Sequence, residues 1–444
     1  KLGLSIRGSF YDNEKSNPQW KKDTFNNNGV IEDSSKSNNS FGANGKTMDN
    51  QNWTAGAGLT FTPNENHTIK ADFDVAKQKY DNSQGSVGTL DSYETIFKSQ
   101  QVGYAETQRM SREQYSLFWE ANWDLAKSTV GIHHIESENL GRSLPLSAEE
   151  RIRMTQLYSN NGGKYNATKK QWSVAGNGGI KYENLNAADK AFIDSLLPRP
   201  TRTLESSDTT YSAKYEVPLS NHFLVVGAEY KEAELKDGVY KDGKKEYNQY
   251  GVFAEDNWNI IDPLTLTLGT RYDKHEDFGD NVSPRVYATY AINDNWTVKG
   301  GVATGYKTPK TTDLQEGVVG FGGQGTSPQF GNPDLKPEKS LSKEVAVYYE
   351  HPNKHNFNLT LFQNNFKDKI ESTDFSANVP SEWSGFVDPA NPPKQKQNVG
   401  KAEILGLEAA GKFFILDNLS IKANWTWLDS EIKSDDSKQD GKPL

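Results

Sequence analysis

The sequence predicts an all-β fold: a transmembrane antiparallel β-barrel, here a partial barrel of about fifteen strands. Three observations carry this. Apolar and polar residues alternate along segment after segment of about ten residues or more, the length of a tilted membrane strand. The connections alternate between short turns and long polar loops. The chain is rich in aromatics, with 10 Trp, 20 Tyr and 20 Phe, yet its mean hydropathy is only -0.81. Disordered chains are poor in aromatics. A barrel needs only every second residue apolar.

The segments follow in order. "KLGLSIRGSF" opens the chain as a strand, without a signal peptide, so upstream processing or truncation is expected. In "HTIKADFDVAK" Ile69, Ala71, Phe73 and Val75 share one face, and Lys70, Asp72 and Asp74 share the other. The first face is expected to touch lipid and the second to line a watery lumen. "LTLTLGTRYD" sets Leu264, Leu266 and Leu268 against Thr265, Thr267 and Arg271. "FNLTLFQNNF" sets Phe357, Leu359 and Leu361 against Asn358 and Thr360. "NLSIKANWTW" sets Ile421, Ala423, Trp425 and Trp427 against Lys422, Asn424 and Thr426.

Short turns are expected at 64–67, 124–127, 218–221, 261–263, 293–295, 352–355 and 416–418. Long loops are expected at 13–50, 81–109, 138–203, 237–246, 308–339 and 368–400, with one brief connection at 277–281. Short turns at one rim and long loops at the other are the plan of an outer-membrane barrel. Trp119, Trp123, Trp258, Trp296, Phe223, Phe413 and Phe414 lie near short turns and read as an interfacial girdle. Within 138–203, "NAADKAFIDSLLP" reads as one helix capped by Asn186 and ended by Pro198. An odd strand count cannot close an antiparallel ring, and an open edge in lipid leaves backbone groups unpaired. The chain is therefore expected to be part of a larger barrel.

Composition excludes some chemistry. Cysteine is absent, so there is no disulfide, thiolate ligand or cysteine nucleophile. The net charge of -9 argues against nucleic acid as a partner. No run approaches 18 apolar residues, so no transmembrane helix is expected. No nucleophile–base pattern stands out, and an enzyme such as a barrel hydrolase is not expected. "GFGGQG" at 320–325 lacks a following helix and reads as a loop. The Asp-rich stretch from Asp429 to Asp440 fits no calcium cage.

The most distinctive stretch is "GGVATGYKTPKTTDLQEG", followed by "GNPDLKPEKSLSKEVAVYYE". Pro309, Pro333 and Pro337 stiffen the connection. Glycines 300, 301 and 305 are expected to let backbone approach closely in the lumen. These residues resemble the TonB-dependent outer-membrane receptors, as do "AEILGLEAAG" and "NQYGVFAEDNWNIIDPLTLTLGTRYDKHEDFGDNVSPRVY". The resemblance spans essentially the whole chain and is clearest from Asn248 to Leu428. Within the family it is closest to the ferric enterobactin and colicin I receptors. It implies a 22-stranded barrel with a plugged lumen, of which residues 1–444 are a partial barrel. The N-terminal plug, with its TonB box, and the C-terminal strands are expected to lie outside.

The resemblance also implies a cargo. Ferric catecholates are anionic, flat and aromatic, and call for Arg or Lys with aromatic surfaces at the barrel mouth. Tyr80, Tyr93, Lys98, Tyr104, Arg109 and Arg112 are the candidates around the 81–109 loop. "MSREQYSLFW" is similar to the family segment that carries one ligand-contacting Arg, which implies Arg112. "NLGRSLP" is similar to the segment with a second, which implies Arg142. The Tyr residues read equally well as girdle anchors. No cofactor is expected, because iron enters within its siderophore. Expected partners are a ferric siderophore, TonB acting through the plug, outer-membrane lipid and lipopolysaccharide, and bacteriocins or phage. The expected location is the bacterial outer membrane. The alternatives are a hydroxamate or heme receptor, or a soluble β-rich glycan-binding protein. Heme is disfavoured because residues 305–339 contain no histidine, and the neighbours His133 and His134 face opposite sides of a strand.

Overall fold

The computed structural model describes residues 1–14, 24–25, 31–32, 49–82, 93, 96, 104–166, 171–174, 180–240, 242–322, 327–381, 383, 392–433 and 441. Fifteen strands pair in chain order into one sheet. The first five are β1 (Leu2–Asn13), β2 (Asn50–Phe61), β3 (His67–Asp81), β4 (Tyr104–Trp123) and β5 (Ala126–Arg142). The next five are β6 (Leu204–Leu219), β7 (His222–Asp237), β8 (Lys244–Ile261), β9 (Leu264–His275) and β10 (Gly279–Ala291). The last five are β11 (Trp296–Lys307), β12 (Glu338–Glu350), β13 (Asn356–Lys367), β14 (Lys401–Leu416) and β15 (Leu419–Lys433). Each is antiparallel to its neighbours. β4 runs 20 residues and β1 runs 12, well beyond the five or six usual in soluble sheets.

The sheet does not close. Among the described residues β1 pairs only with β2, and β15 only with β14. Every expected short turn falls between strands at one rim, and the long connections share the other. Two connections at the long-loop rim are brief: residues 238–243, expected to be long, as well as residues 276–278.

Register gives each face a chemistry. On β1 Leu2, Leu4, Ile6 and Phe10 are exposed on one face. Arg7 on the other reaches Asp72 and Asp74 of β3. The polar face continues as a ladder of ion pairs. Lys70 meets Glu120 at 2.6 Å, Lys231 meets Asp208 at 2.9 Å, Arg271 meets Glu229 at 2.8 Å and Arg285 meets Glu255 at 3.2 Å. An apolar outer face and a charge-paired inner face are the membrane-barrel arrangement.

Rings on the inner face lie over glycines on the next strand. A Cβ on Gly131 would meet Phe118 at 2.1 Å, and one on Gly406 would meet Phe362 at 2.2 Å. Phe118 and Gly131 are direct partners, as are Phe362 and Gly406. Such pairs pin register by letting a ring lie flat on bare backbone. Of the three glycines expected in the lumen, Gly301 and Gly305 face it and Gly300 faces outward. Gly301 is opposite inward-facing Tyr287, and Gly300 is opposite outward-facing Val345.

The short-turn rim carries the girdle. Trp119, Trp123, Trp258, Trp296 and Phe413 face outward by register. Phe223 and Phe414 fall on the inward face instead, because each is one residue out of step with its strand's apolar row. Histidines complete the belt: His67 stacks on Trp119 at 5.8 Å and His222 on Trp258 at 5.4 Å.

Loops gather at the other rim. The expected helix is present as Ala187–Leu196, with Asn186 Oδ1 accepting from Asp189 N–H at 2.8 Å. A second helix, Ala148–Asn160, was not expected. In order they are α1 (Ala148–Asn160) and α2 (Ala187–Leu196). Ser147 and Glu150 form a capping box at the start of α1. Leu146, Met154, Leu157, Ile193 and Leu196 form a buried hydrophobic core between the helices, joined by Ile96. A separate small sheet orders Val318–Gly322, Ser327–Phe330, Lys394–Asn398 and Ile370–Asp374, drawn from two connections. Gly320 to Gly322 of the glycine-rich stretch thus belong to a strand, not a loop.

Candidate ligand-binding site

Arg112 lies on β4, opposite Ala76 of β3 and Ser137 of β5. One row toward the short-turn rim, Gln114 donates to Asp74 at 3.3 Å on the polar face. Arg112 therefore faces inward. All ten arginines of the chain are among the described residues. Among the described residues, Arg112 and Arg109 carry the only arginine side chains with no hydrogen bond or ion pair. Its small neighbours leave the Arg112 guanidinium uncovered, with five N–H donors free.

Arg109 lies three residues away on the same strand, so alternation turns it outward. Its cross-strand partner is Lys79. Tyr80 shares the inward face with Arg112 and donates to Gln78 at 3.2 Å. Its partner on β4 is Gln108, four residues from Arg112, or roughly 13 Å along the strand. Tyr104 begins β4 and pairs with Arg142. Arg142 is five residues beyond Ser137, roughly 16 Å above Arg112 along β5. Gly141, at φ +101°, breaks the alternation just before it. Arg142 O accepts from Arg202 N at 2.8 Å, and Arg202 in turn holds Asp237 at 2.6 Å.

Tyr93 is engaged with a loop helix. Its ring stacks on Tyr182 at 4.6 Å and its hydroxyl donates to Asp194 at 3.1 Å. The bond to Asp194 raises the Tyr93 pKa, and likewise pushes Tyr182 up to about 12. Lys98 lies outside the described residues. The structure thus places Arg112 and Tyr80 on one inner wall, Arg142 above them, Arg109 on the outer wall and Tyr93 in the loop layer.

An aromatic cluster over the rim was not legible as a site. Arg151 of α1 is 3% exposed, and its guanidinium lies 4.3 Å from the Phe321 ring and 5.9 Å from that of Trp383. Burial pushes its pKa down to about 10. The "NPDLKPE" stretch clasps the neighbouring connection. Asn332 donates to Lys396 O at 3.0 Å, and Lys336 N donates to Asn398 Oδ1 at 2.9 Å. In this chain that motif holds loops together.

A sheet of membrane-length strands, apolar outside, charge-lined inside and roofed by loops, defines a large outer-membrane β-barrel protein. A family model described as "TonB dependent receptor-like, beta-barrel" matches residues 139–444. The chain belongs to this family of TonB-dependent receptors, in the bacterial outer membrane. It is 32% identical over 254 residues to the iron-regulated outer membrane virulence protein of Vibrio cholerae, covering 55% of this chain and 37% of that protein. It is 28% identical over 361 residues to the ferric enterobactin receptor of Pseudomonas aeruginosa, covering 78% of this chain and 45% of that one. The chain thus spans less than half the length of these curated relatives. A solved mutant of the ferric enterobactin receptor from Pseudomonas aeruginosa, in complex with enterobactin, superposes with a TM-score of 0.63. That match has 20% identity and covers 96% of this chain and 58% of that one. It establishes the fold alone.

Proposed function

We propose that the chain is barrel wall from a receptor that takes up a ferric siderophore of catecholate type, driven by TonB. The observation that carries this is Arg112: an unpaired arginine on an inner wall whose other arginines are matched with acids. A ferric tris-catecholate is anionic and presents flat rings. A free guanidinium offers it charge, planar donors and a stacking face. Tyr80 on the same wall adds a ring. The enterobactin-receptor relatives supply the cargo class.

In this reading the loop layer admits the complex and Arg112 and Tyr80 hold it on the way in. Energy from TonB reaches it through a plug inside the barrel. Iron is cargo within its chelate. The chain performs no catalysis.

The test is a titration of the native full-length protein in detergent, read by quenching of tryptophan fluorescence. Ferric enterobactin should bind, and Arg112→Ala should weaken it about tenfold or more, as expected for a charged hydrogen bond of roughly 1.5–3 kcal/mol. Binding of a ferric hydroxamate alone would overturn the catecholate assignment. Equal affinity in the variant would remove Arg112 from the site.

A further inference from the structure

At the long-loop ends of β12 to β15, Lys339 pairs with Lys367, Lys367 with Lys401, and Lys401 with Lys433. The four lysines therefore form one row across four strands. With strands about 4.8 Å apart, the row spans roughly 15 Å. All four are exposed. They share the outward face with Val345, Leu361, Leu407 and Trp427, from which they are separated by even numbers of residues.

Like charges directly opposite one another destabilise a sheet. Two other outward lysines on this rim are matched: Lys236 holds Glu234 at 2.9 Å and Lys244 holds Glu246 at 2.6 Å. Lys79 and Lys274 have no described acid partner, but each stands alone rather than in a row of lysines. In the row only Lys433 has a described acid partner, Glu403 at 2.9 Å. Among the described residues, the side chains of Lys339, Lys367 and Lys401 have no hydrogen-bond or ion-pair partner. The nearest outward acids, Glu403 and Glu431, lie one row nearer the membrane. Glu403 is already taken by Gln363 and Lys433.

The height selects the partner. Beneath the row the uppermost outward apolar side chains are Leu341 on β12 and Leu405 on β14, two and four residues below. At a strand tilt near 40° this is roughly 5–10 Å, the depth of a headgroup layer. We propose that the Lys339–Lys367–Lys401–Lys433 row binds the phosphoryl groups of an outer-leaflet glycolipid. Several fixed cations at headgroup height match a lipid carrying more than one phosphate. The inference rests on the membrane orientation of the sheet and not on the siderophore reading.

The test compares native full-length protein with a variant carrying Lys339→Gln, Lys367→Gln and Lys401→Gln. Each is incubated with bisphosphorylated lipid A or its dephosphorylated form in mixed micelles, and retained lipid is weighed by native mass spectrometry. The wild type should retain the bisphosphorylated lipid, with affinity about tenfold or more above that of the variant. The dephosphorylated lipid should not distinguish the two. A second variant with the same three positions changed to Arg keeps the charge and should retain the lipid. Equal retention by the Gln variant would overturn the proposal. So would displacement of the lipid by a few millimolar inorganic phosphate, which would make the row a site for free anions.

Discussion

Arg112 and Arg109 show what three residues of separation mean on a strand. Both stood out in the sequence as cations near the loop rim, and both are unpaired. Alternation sends one to the lumen and the other to the lipid side. That division follows from parity, but the sequence leaves open which neighbours each meets. Ala76 and Ser137 come from other strands, and only register makes them small neighbours of Arg112. Tyr93 illustrates the opposite case, because its partner Asp194 is 101 residues away. Arg151 carries a prediction at this scale. Arg151→Met should free α1 from Phe321 while keeping the bulk. Hydrogen exchange in 318–322 should then rise in the full-length protein, with exchange in β14 unchanged.

Among elements, the strands were legible and the loop layer was not. Alternation repeats from strand to strand, and the short turns between strands carry Asn, Asp or Pro. The helix α2 showed an Asn cap and a terminating Pro. The helix α1 had an equal signal in Ser147 and Glu150, three residues apart, but its polar character hid its apolar stripe. The small sheet joins segments more than 60 residues apart, a pairing no local pattern encodes. Ser147→Ala should cost α1 about 1 kcal/mol, seen as faster exchange over 148–160. Acid should act on the same element. Burial pushes the Glu150 carboxyl up, but the bonds from Arg199 and Ser147 outweigh it and hold it below the ordinary glutamate range. A depressed carboxylate stabilises the fold above its unfolded pKa and loses that contribution as pH falls through the folded value. Exchange protection of α1 should therefore hold at neutral pH and fall at pH below about 4, and Glu150→Gln should flatten this dependence. On the inner wall, Gly406→Val has no space beneath Phe362. It should lower barrel stability by about 1–3 kcal/mol, read as an earlier thermal transition in detergent.

For the whole molecule, two faces of opposite chemistry run the length of one unclosed sheet. Apolar side chains that would be a liability in water cover the outer face, and ion pairs cover the inner one. This division was visible in the alternation of "HTIKADFDVAK" and its counterparts. The count of about fifteen strands was visible too. The paired lysine row was not, because it exists only once four strands take their register. The central claim is that Arg112 faces a ligand-accessible lumen while the opposite face meets lipid. A single cysteine at Arg112 or at Leu361, in full-length protein with any other cysteines removed, tests it in intact cells. A membrane-impermeant thiol reagent should label Arg112→Cys, and ferric enterobactin should protect it, while Leu361→Cys should stay unlabelled. Equal labelling of the two would contradict the assignment of faces. Labelling of Arg112→Cys that ferric enterobactin leaves unchanged would contradict the site.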